Sequence, residues 1–293
     1  MLPTALRFFF STTALLSVSA CSGGGETISS VPTSSGLPTV PTKLTISLDG
    51  QTVSASFTKD LSSGKTTISG VTTPKQGSAN ISTVDSDLVG WSANGSNTPV
   101  TFSAMTGDTF TAKKGVVLAE SADKQSIGIF ADPSAHGYEH QTFGAWMTGL
   151  GASSGKVGAG SFGKKTGAGN MPTGISATYS GATTGVATLA DGQTYLTSSK
   201  VSVATDFSDM TFTSADTQAV NINTGTIKTA PELDFIGSGS VSDGTFSANV
   251  VGSGTSGSIS GMFYGPQANE IGGTFHTSGS GGISHTGSFG GKR

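Results

Sequence analysis

Few residues in this 293-residue chain could do chemistry, because only 11% of it is charged and it holds one cysteine and four histidines. Cys21 is the only thiol, which excludes an intrachain disulfide and a cysteine-based zinc cluster. It follows Val18-Ser19-Ala20, and Arg7 with the apolar run from Phe8 to Val18 precedes it. That run is too short to cross a bilayer and has the layout of a secretory signal. A small-residue run ending in Cys is the bacterial lipoprotein pattern, in which Cys21 becomes the acylated first residue of the mature chain. Palmitate and its companion acyl chains would then satisfy the two-chain requirement for stable anchoring. The other reading is an ordinary signal with an incidental thiol.

A second cluster is His136-Gly137-Tyr138-Glu139-His140. Two readings stay open for it. His136 or His140 could be an axial ligand to haem iron, with Tyr138 as a second ligand or a ring-stacking partner. Otherwise the group is a solvated loop. Pro133 and Gly137 argue against a helix that would bring His136 and His140 onto one face. His276 and His285 fall on adjacent expected strands, as cross-strand neighbours or, the expected case, as exposed side chains. No Gly-x-Ser-x-Gly elbow, phosphate loop or carboxylate pair stands out, and Gly158–Gly163 precedes no expected helix. No catalytic and no metal residues are therefore expected, and the pattern is not that of an enzyme. The net charge of −3 excludes a strong nucleic-acid footprint.

The elements that must position these residues are strands. Gly supplies 44 of the 293 residues, about twice the usual ~7% share, and the chain is poor in helix formers. Apolar positions alternate, as in Leu44, Ile46, Leu48 and again Val53, Ala55, Phe57. With Asp49-Gly50 between them, these two runs read as a hairpin. Val100 and Phe102, Gly107-Asp108, then Phe110 and Ala112 read as another. Trp91, in a Gly/Asn/Ser stretch, is either a core plug or an anchor for a partner, with core the expected place. Further strands are expected at Ile175–Ser180, Gly185–Leu189, Thr194–Ala204, Met210–Thr213, Leu233–Ser240, Gly244–Val251, Gly257–Phe263, Gly272–His276 and Ile283–Phe289. Short strands at this spacing indicate an all-β sandwich or an antiparallel barrel, and a closed barrel filled by its own small side chains is expected for the second half because closure removes unprotected sheet edges. A membrane-spanning barrel is rejected, since aromatics for two girdles are too few. The expected organisation is a signal at 1–20, a Ser/Thr/Gly/Pro-rich tether at 21–42, a β-rich handle-like domain at 43–165 and an eight-stranded antiparallel barrel at 166–293.

Three segments carry a resemblance. Gly261-Met262-Phe263-Tyr264-Gly265-Pro266-Gln267-Ala268-Asn269-Glu270-Ile271-Gly272-Gly273-Thr274-Phe275 resembles the last-strand hairpin, GxFYGPxAxExGGxF, of the transferrin-binding protein B family of surface lipoproteins, which includes haem-binding and hemophore-type relatives. Met171 to Gly181 is similar to that family's opening barrel strand, MPxxGxAxYxG, and Gln141 to Trp146 to the strand before it. The resemblance implies a lipid-anchored outer-membrane receptor at the cell surface. Such a receptor would capture an iron source for a TonB-dependent importer, either haem or a host or environmental protein that carries iron or haem, or else another protein ligand. The alternative is a structural or adhesive surface lipoprotein without a small-molecule ligand. Haem is the one cofactor that comes into question.

The motif also reads physically. Tyr264-Gly265-Pro266 turns the chain sharply. Gly272-Gly273 lets the returning strand pass close to a neighbour. Phe263, Ile271 and Phe275 are expected as barrel plugs, and Glu270 as a cap on local backbone N–H groups or the partner of a base. Each of these roles is structural, and none places the motif against a ligand.

Overall fold

A computed structural model describes residues 43–293 apart from residue 86, and without the side chains of 133 and 134. Cys21, the signal and the tether lie outside the described residues. Small, β-branched and aromatic residues in alternation give strands almost throughout, in two antiparallel sheets.

The first sheet is built from β1 (Lys43–Lys59), β2 (Thr66–Ser69), β3 (Lys75–Val84), β4 (Asp87–Asn94), β5 (Val100–Ser103), β6 (Thr109–Lys113), β7 (Val116–Glu120), β8 (Ser126–Ala131), β9 (Gln141–Thr148) and β10 (Ser154–Gly163). Their order is β5-β4-β3-β1-β10-β9-β8-β7-β6, with β2 added to β1. The two ends of this order, β5 and β6, are joined through the short turn Ala104–Thr106, so the sheet curls into a nearly closed barrel. Its core holds Trp91, 1% exposed and stacked on Phe130 at 4.3 Å between ring centres, together with Phe102, Trp146 and Phe162. Trp91 is thus a core plug, as expected.

Two expected hairpins are corrected. β1 is one strand of 17 residues, with no turn at Asp49-Gly50. Gly50 has no positive φ. It sits where β1 is paired on both sides, opposite Phe162 of β10 and Gly77 of β3. A Cβ there would overlap the Ser161 carbonyl oxygen, so this glycine serves close approach instead of a turn. Likewise β5 pairs with β4 and β6 with β7, and the two do not pair with each other.

The second sheet contains β11 (Ala177–Thr188), β12 (Thr194–Thr205), β13 (Asp209–Asn221), β14 (Ile227–Thr229), β15 (Phe235–Ser242), β16 (Thr245–Gly252), β17 (Thr255–Tyr264), β18 (Glu270–Gly279) and β19 (Ser284–Lys292). The order β12-β11-β19-β18-β17-β16-β15-β13 closes through β12–β13 pairing, giving the expected eight-stranded antiparallel barrel, with β14 added to β13. The segments expected as two strands before Leu189 are one continuous strand, β11. Tyr179, Phe212, Phe235, Phe246, Phe263, Phe275 and Phe289 fill the interior. Outward positions on β15, β16 and β17 are Ser238, Ser240, Ser247, Asn249 and Ser258, all exposed. Apolar inside and hydroxyl outside is the reverse of a membrane-spanning barrel.

The two sheets form one compact unit over Lys43–Arg293. β9 is buried at seven successive positions, and β19 at its first eight. Each lies between its own core and the other sheet, which erases the usual alternation.

Candidate functional site

The His-Tyr-Glu-His segment and the Tyr264-to-Phe275 motif meet at the seam between the sheets. Pro133–His136 forms one helical turn where a loop was expected, and the chain then runs across the mouth of the second barrel into β9. His136 Nε2 lies 2.9 Å from the Gly115 carbonyl oxygen. Its ring stacks on Tyr138, 5.1 Å between centres and 19° from parallel. Tyr138 is buried and donates its hydroxyl to the Gly290 carbonyl at 2.9 Å. Burial pushes its phenol up from the ordinary tyrosine value, and the nearby Glu270 charge adds to this.

Glu270 carries out the first of the two roles expected of it. Its carboxylate accepts the Glu139 N–H at 2.7 Å and the His140 N–H at 3.3 and 3.2 Å. The capped groups are not local: they lie 131 and 130 residues away in sequence. Glu270 is buried, and burial raises its pKa above the ordinary carboxylate value. The two N–H groups and the nearby His140 and Lys292 side chains work against that rise. The His140 ring lies against the Tyr264-Gly265 turn, where a Cβ on Gly265 would come 3.1 Å from its Cγ. Gly265 has φ +86°, so the turn needs a glycine for its backbone as well.

The rest of the motif also works at this seam. Tyr264 is fully buried, with its hydroxyl 3.0 Å from Ser161 Oγ on β10, and desolvation raises its pKa. Gly272 and Gly273 do two different jobs. A Cβ on Gly272 would overlap Gln141 Oε1 of the first sheet, and one on Gly273 would overlap the Ser260 carbonyl of the adjacent strand. Phe263, Ile271 and Phe275 are interior plugs, as the alternation required.

Sequence reasoning missed the glutamines that join the sheets. Gln141 Nε2 donates to the carbonyls of Ile271 at 2.8 Å and Gly291 at 3.1 Å. Gln51 Nε2 donates to the Ser260 carbonyl at 2.6 Å. For Gln141 the available signal was an uncharged amide at the head of an otherwise apolar strand, which must find partners when buried; Gln51, inside the hydroxyl-rich β1, gave none.

The expected exposure of the other histidines is overturned. His285 is 0% exposed and faces the barrel interior, with Nε2 2.8 Å from Thr197 Oγ1 and its ring edge-on to Phe275 at 4.7 Å. His276 is half-buried on the outer face, with Nδ1 3.0 Å from Thr286 Oγ1. The strand parity that the alternation implied sets this, since 285, 287 and 289 share the inward face.

Chemically, the seam offers no converging set of ligands. Among the described residues, no three His, Cys, Asp or Glu side chains gather as a metal site. A haem iron could reach His136 Nε2 only by displacing its bond to Gly115. A groove of about 590 Å³ lies between Val53 with Val71–Pro74 of the first sheet and the outer face of β15–β18, where it takes in Ser238, Asn249, Ser258 and His276.

Comparison with known proteins follows the same division of the chain. Residues 171–293 match the family described as the C-lobe and N-lobe beta barrels of Tf-binding protein B. Among solved structures, a mutant of transferrin-binding protein B from Haemophilus parasuis Hp5 aligns at 11% identity with TM-score 0.44, over 86% of this chain and 76% of that one. A mutant of the same antigen from Actinobacillus pleuropneumoniae H49 aligns at 13% identity with TM-score 0.44, over 83% and 98%. The haemoglobin receptor HpuA from Kingella denitrificans aligns at 16% identity with TM-score 0.37, over 87% of each chain. No curated protein matches the chain.

Proposed function

We infer a surface receptor for an iron-carrying protein, because residues 171–293 match the Tf-binding protein B barrel family, which is named for binding and not for a reaction. The family match carries this reading, and the residues support it in two ways. The motif that marks the family is spent on holding the sheets together, which leaves the loops and outer faces for a partner. The outer face of β15–β17 combines exposed hydroxyl and amide groups with the exposed apolar pair Ile236 and Val251, and so offers a partner both polar and apolar contacts.

The receptor is attached to the outer membrane through acylated Cys21, displayed at the cell surface and served by a TonB-dependent importer that takes the iron or haem onward. A protein such as transferrin or haemoglobin is the first candidate for its cargo. Free haem ranks second, because each of its candidate ligands is already engaged: His136 with Gly115, Tyr138 with Gly290, and His140 against Gly265. Growth under iron limitation, with transferrin or haemoglobin as the sole iron source, tests the reading. Cells carrying the intact chain grow, and cells carrying Cys21→Ser, which incorporate no labelled palmitate, do not. Equal growth and equal palmitate labelling of both would remove the anchor and the receptor role together.

A further inference from the structure

β1 begins Lys43-Leu44-Thr45-Ile46-Ser47-Leu48-Asp49. The stretch has nearly the same pattern from either end: opposite charges at the termini, leucines one step in, hydroxyls two steps in and isoleucine at the centre. One of its edges is paired to β3, from Lys43 opposite Val84 to Asp49 opposite Ser78. On one face, Thr45 Oγ1 lies 3.0 Å from Ser82 Oγ, and Ser47 donates to Asn80 Oδ1 at 2.5 Å. On the other face, Leu48 packs toward the core while Leu44 and Ile46 are 51% and 43% exposed. Pairing with β10 starts only at Gly50, and β10 ends at Gly163 beside Asp49, so among the described residues no strand occupies the second edge along 43–48. Edge strands are ordinarily shielded by inward charge, proline or a bulge. This edge carries charge only at its two ends, has no proline, and keeps an unbroken register with β3.

We propose that this edge is an interface between two copies of the chain, which pair β1 to β1 antiparallel about a twofold axis through Ile46. That register sets Leu44 opposite the partner's Leu48, Thr45 opposite its Ser47, and Ile46 opposite its own copy. Lys43 meets the partner's Asp49 at both ends, so the pair is complementary in charge as well as in shape. The Lys43 ammonium now touches Met105 Sδ at 3.6 Å, a weak acceptor that a carboxylate readily replaces. The four exposed side chains at Leu44 and Ile46 of the two copies merge into one covered apolar strip. A partner of other sequence would meet no such self-match, which is why a second copy is the occupant.

Light scattering on the full chain carrying Cys21→Ser, which removes the thiol and the acyl chains from the measurement, gives the mass. The expected result is a concentration-dependent dimer. Lys43→Asp and Asp49→Lys each weaken it by about tenfold or more, and the two together restore it, because opposite charges again face one another across both ends. Ile46→Lys, with two like charges on the axis, abolishes it. In the same background, Ile46→Cys closes a disulfide on oxidation, since directly opposed strand residues stand about 4.5–5.5 Å apart between Cα atoms, whereas Leu61→Cys, in an exposed turn, does not. A monomer at every concentration, a dimer indifferent to Ile46→Lys, or a double charge reversal that fails to recover binding would each overturn the proposal.

Discussion

Acid should weaken this protein through one histidine. His285 is enclosed by the barrel, with Thr197 on Nε2 and Phe275 and Phe235 at its ring edges. Burial drives its pKa down from 6.5 to about 3, the adjacent His276 charge acts the same way, and the Leu233 carbonyl opposes them. In the unfolded chain the ring titrates near 6.5. Below that pH the unfolded state takes up a proton that the folded state refuses, so stability falls as pH falls, until the folded ring also protonates near 3. Between pH 7 and pH 5 this amounts to about 2 kcal/mol, at about 1.4 kcal/mol per pH unit once below 6.5. At pH 5 the buried ring is neutral whether it titrates at 3 or at 4, so the figure is insensitive to that value. His276 is lowered by burial too and adds in the same direction. Glu270, raised by burial, acts in the opposite sense: its cost is present above its folded pKa and is relieved as pH falls through it. The assay is urea or thermal unfolding at pH 7 and pH 5 for the wild type and for His285→Gln, which keeps a polar group near Thr197 and does not titrate. The wild type should lose about 2 kcal/mol more than the variant, or about 4–8 °C in Tm for a chain of this size. Equal losses would refute the placement of His285 in a dry interior.

Three further substitutions test the packing and the seam. Gly273→Val should lose more than about 4 kcal/mol or fail to fold, because its Cβ overlaps the Ser260 carbonyl and comes 2.7 Å from Gly261 Cα, both backbone atoms that cannot give way; circular dichroism and yield report it. Glu270→Ala should cost about 2–4 kcal/mol by chemical denaturation, from two charge-assisted bonds that hold the Glu139–His140 segment, and Glu270→Gln less, because one acceptor remains. Trp91→Ala should cost about 3–5 kcal/mol, as for a large aromatic removed from a closed core, and a cost under 1 kcal/mol would contradict its stacking on Phe130.

The barrel was largely legible because its strands obey a period of two and end at Asp-Gly and Gly-rich turns. The Phe263–Phe275 hairpin was placed as a hairpin, with strands up to three residues short at each end, and its plugs point inward as the alternation requires. Two kinds of feature were not legible. Asp49-Gly50 looks like a hairpin turn, but glycine also serves where two backbones crowd, and only the position of β10 distinguishes these uses. Burial on both faces is the other: β9 and β19 are covered by the opposite sheet, so exposure could not be inferred from one strand's own pattern. His285 was misjudged for a different reason: it shares the inward parity of Phe289, which outranks the polarity of its side chain. Glu270 was readable as a cap, yet the N–H groups it caps come from across the seam, a contact that local sequence does not encode.

Direct binding tests the receptor reading most sharply. The full chain, immobilised on a biosensor, is exposed to iron-loaded transferrin, to haemoglobin and, separately, to free haem followed in the Soret region. The account predicts saturable binding of at least one iron-carrying protein, and retention of that binding when His136 and His140 are both replaced by alanine. Absence of binding to either protein, together with a haem spectrum that the double replacement abolishes, would contradict it.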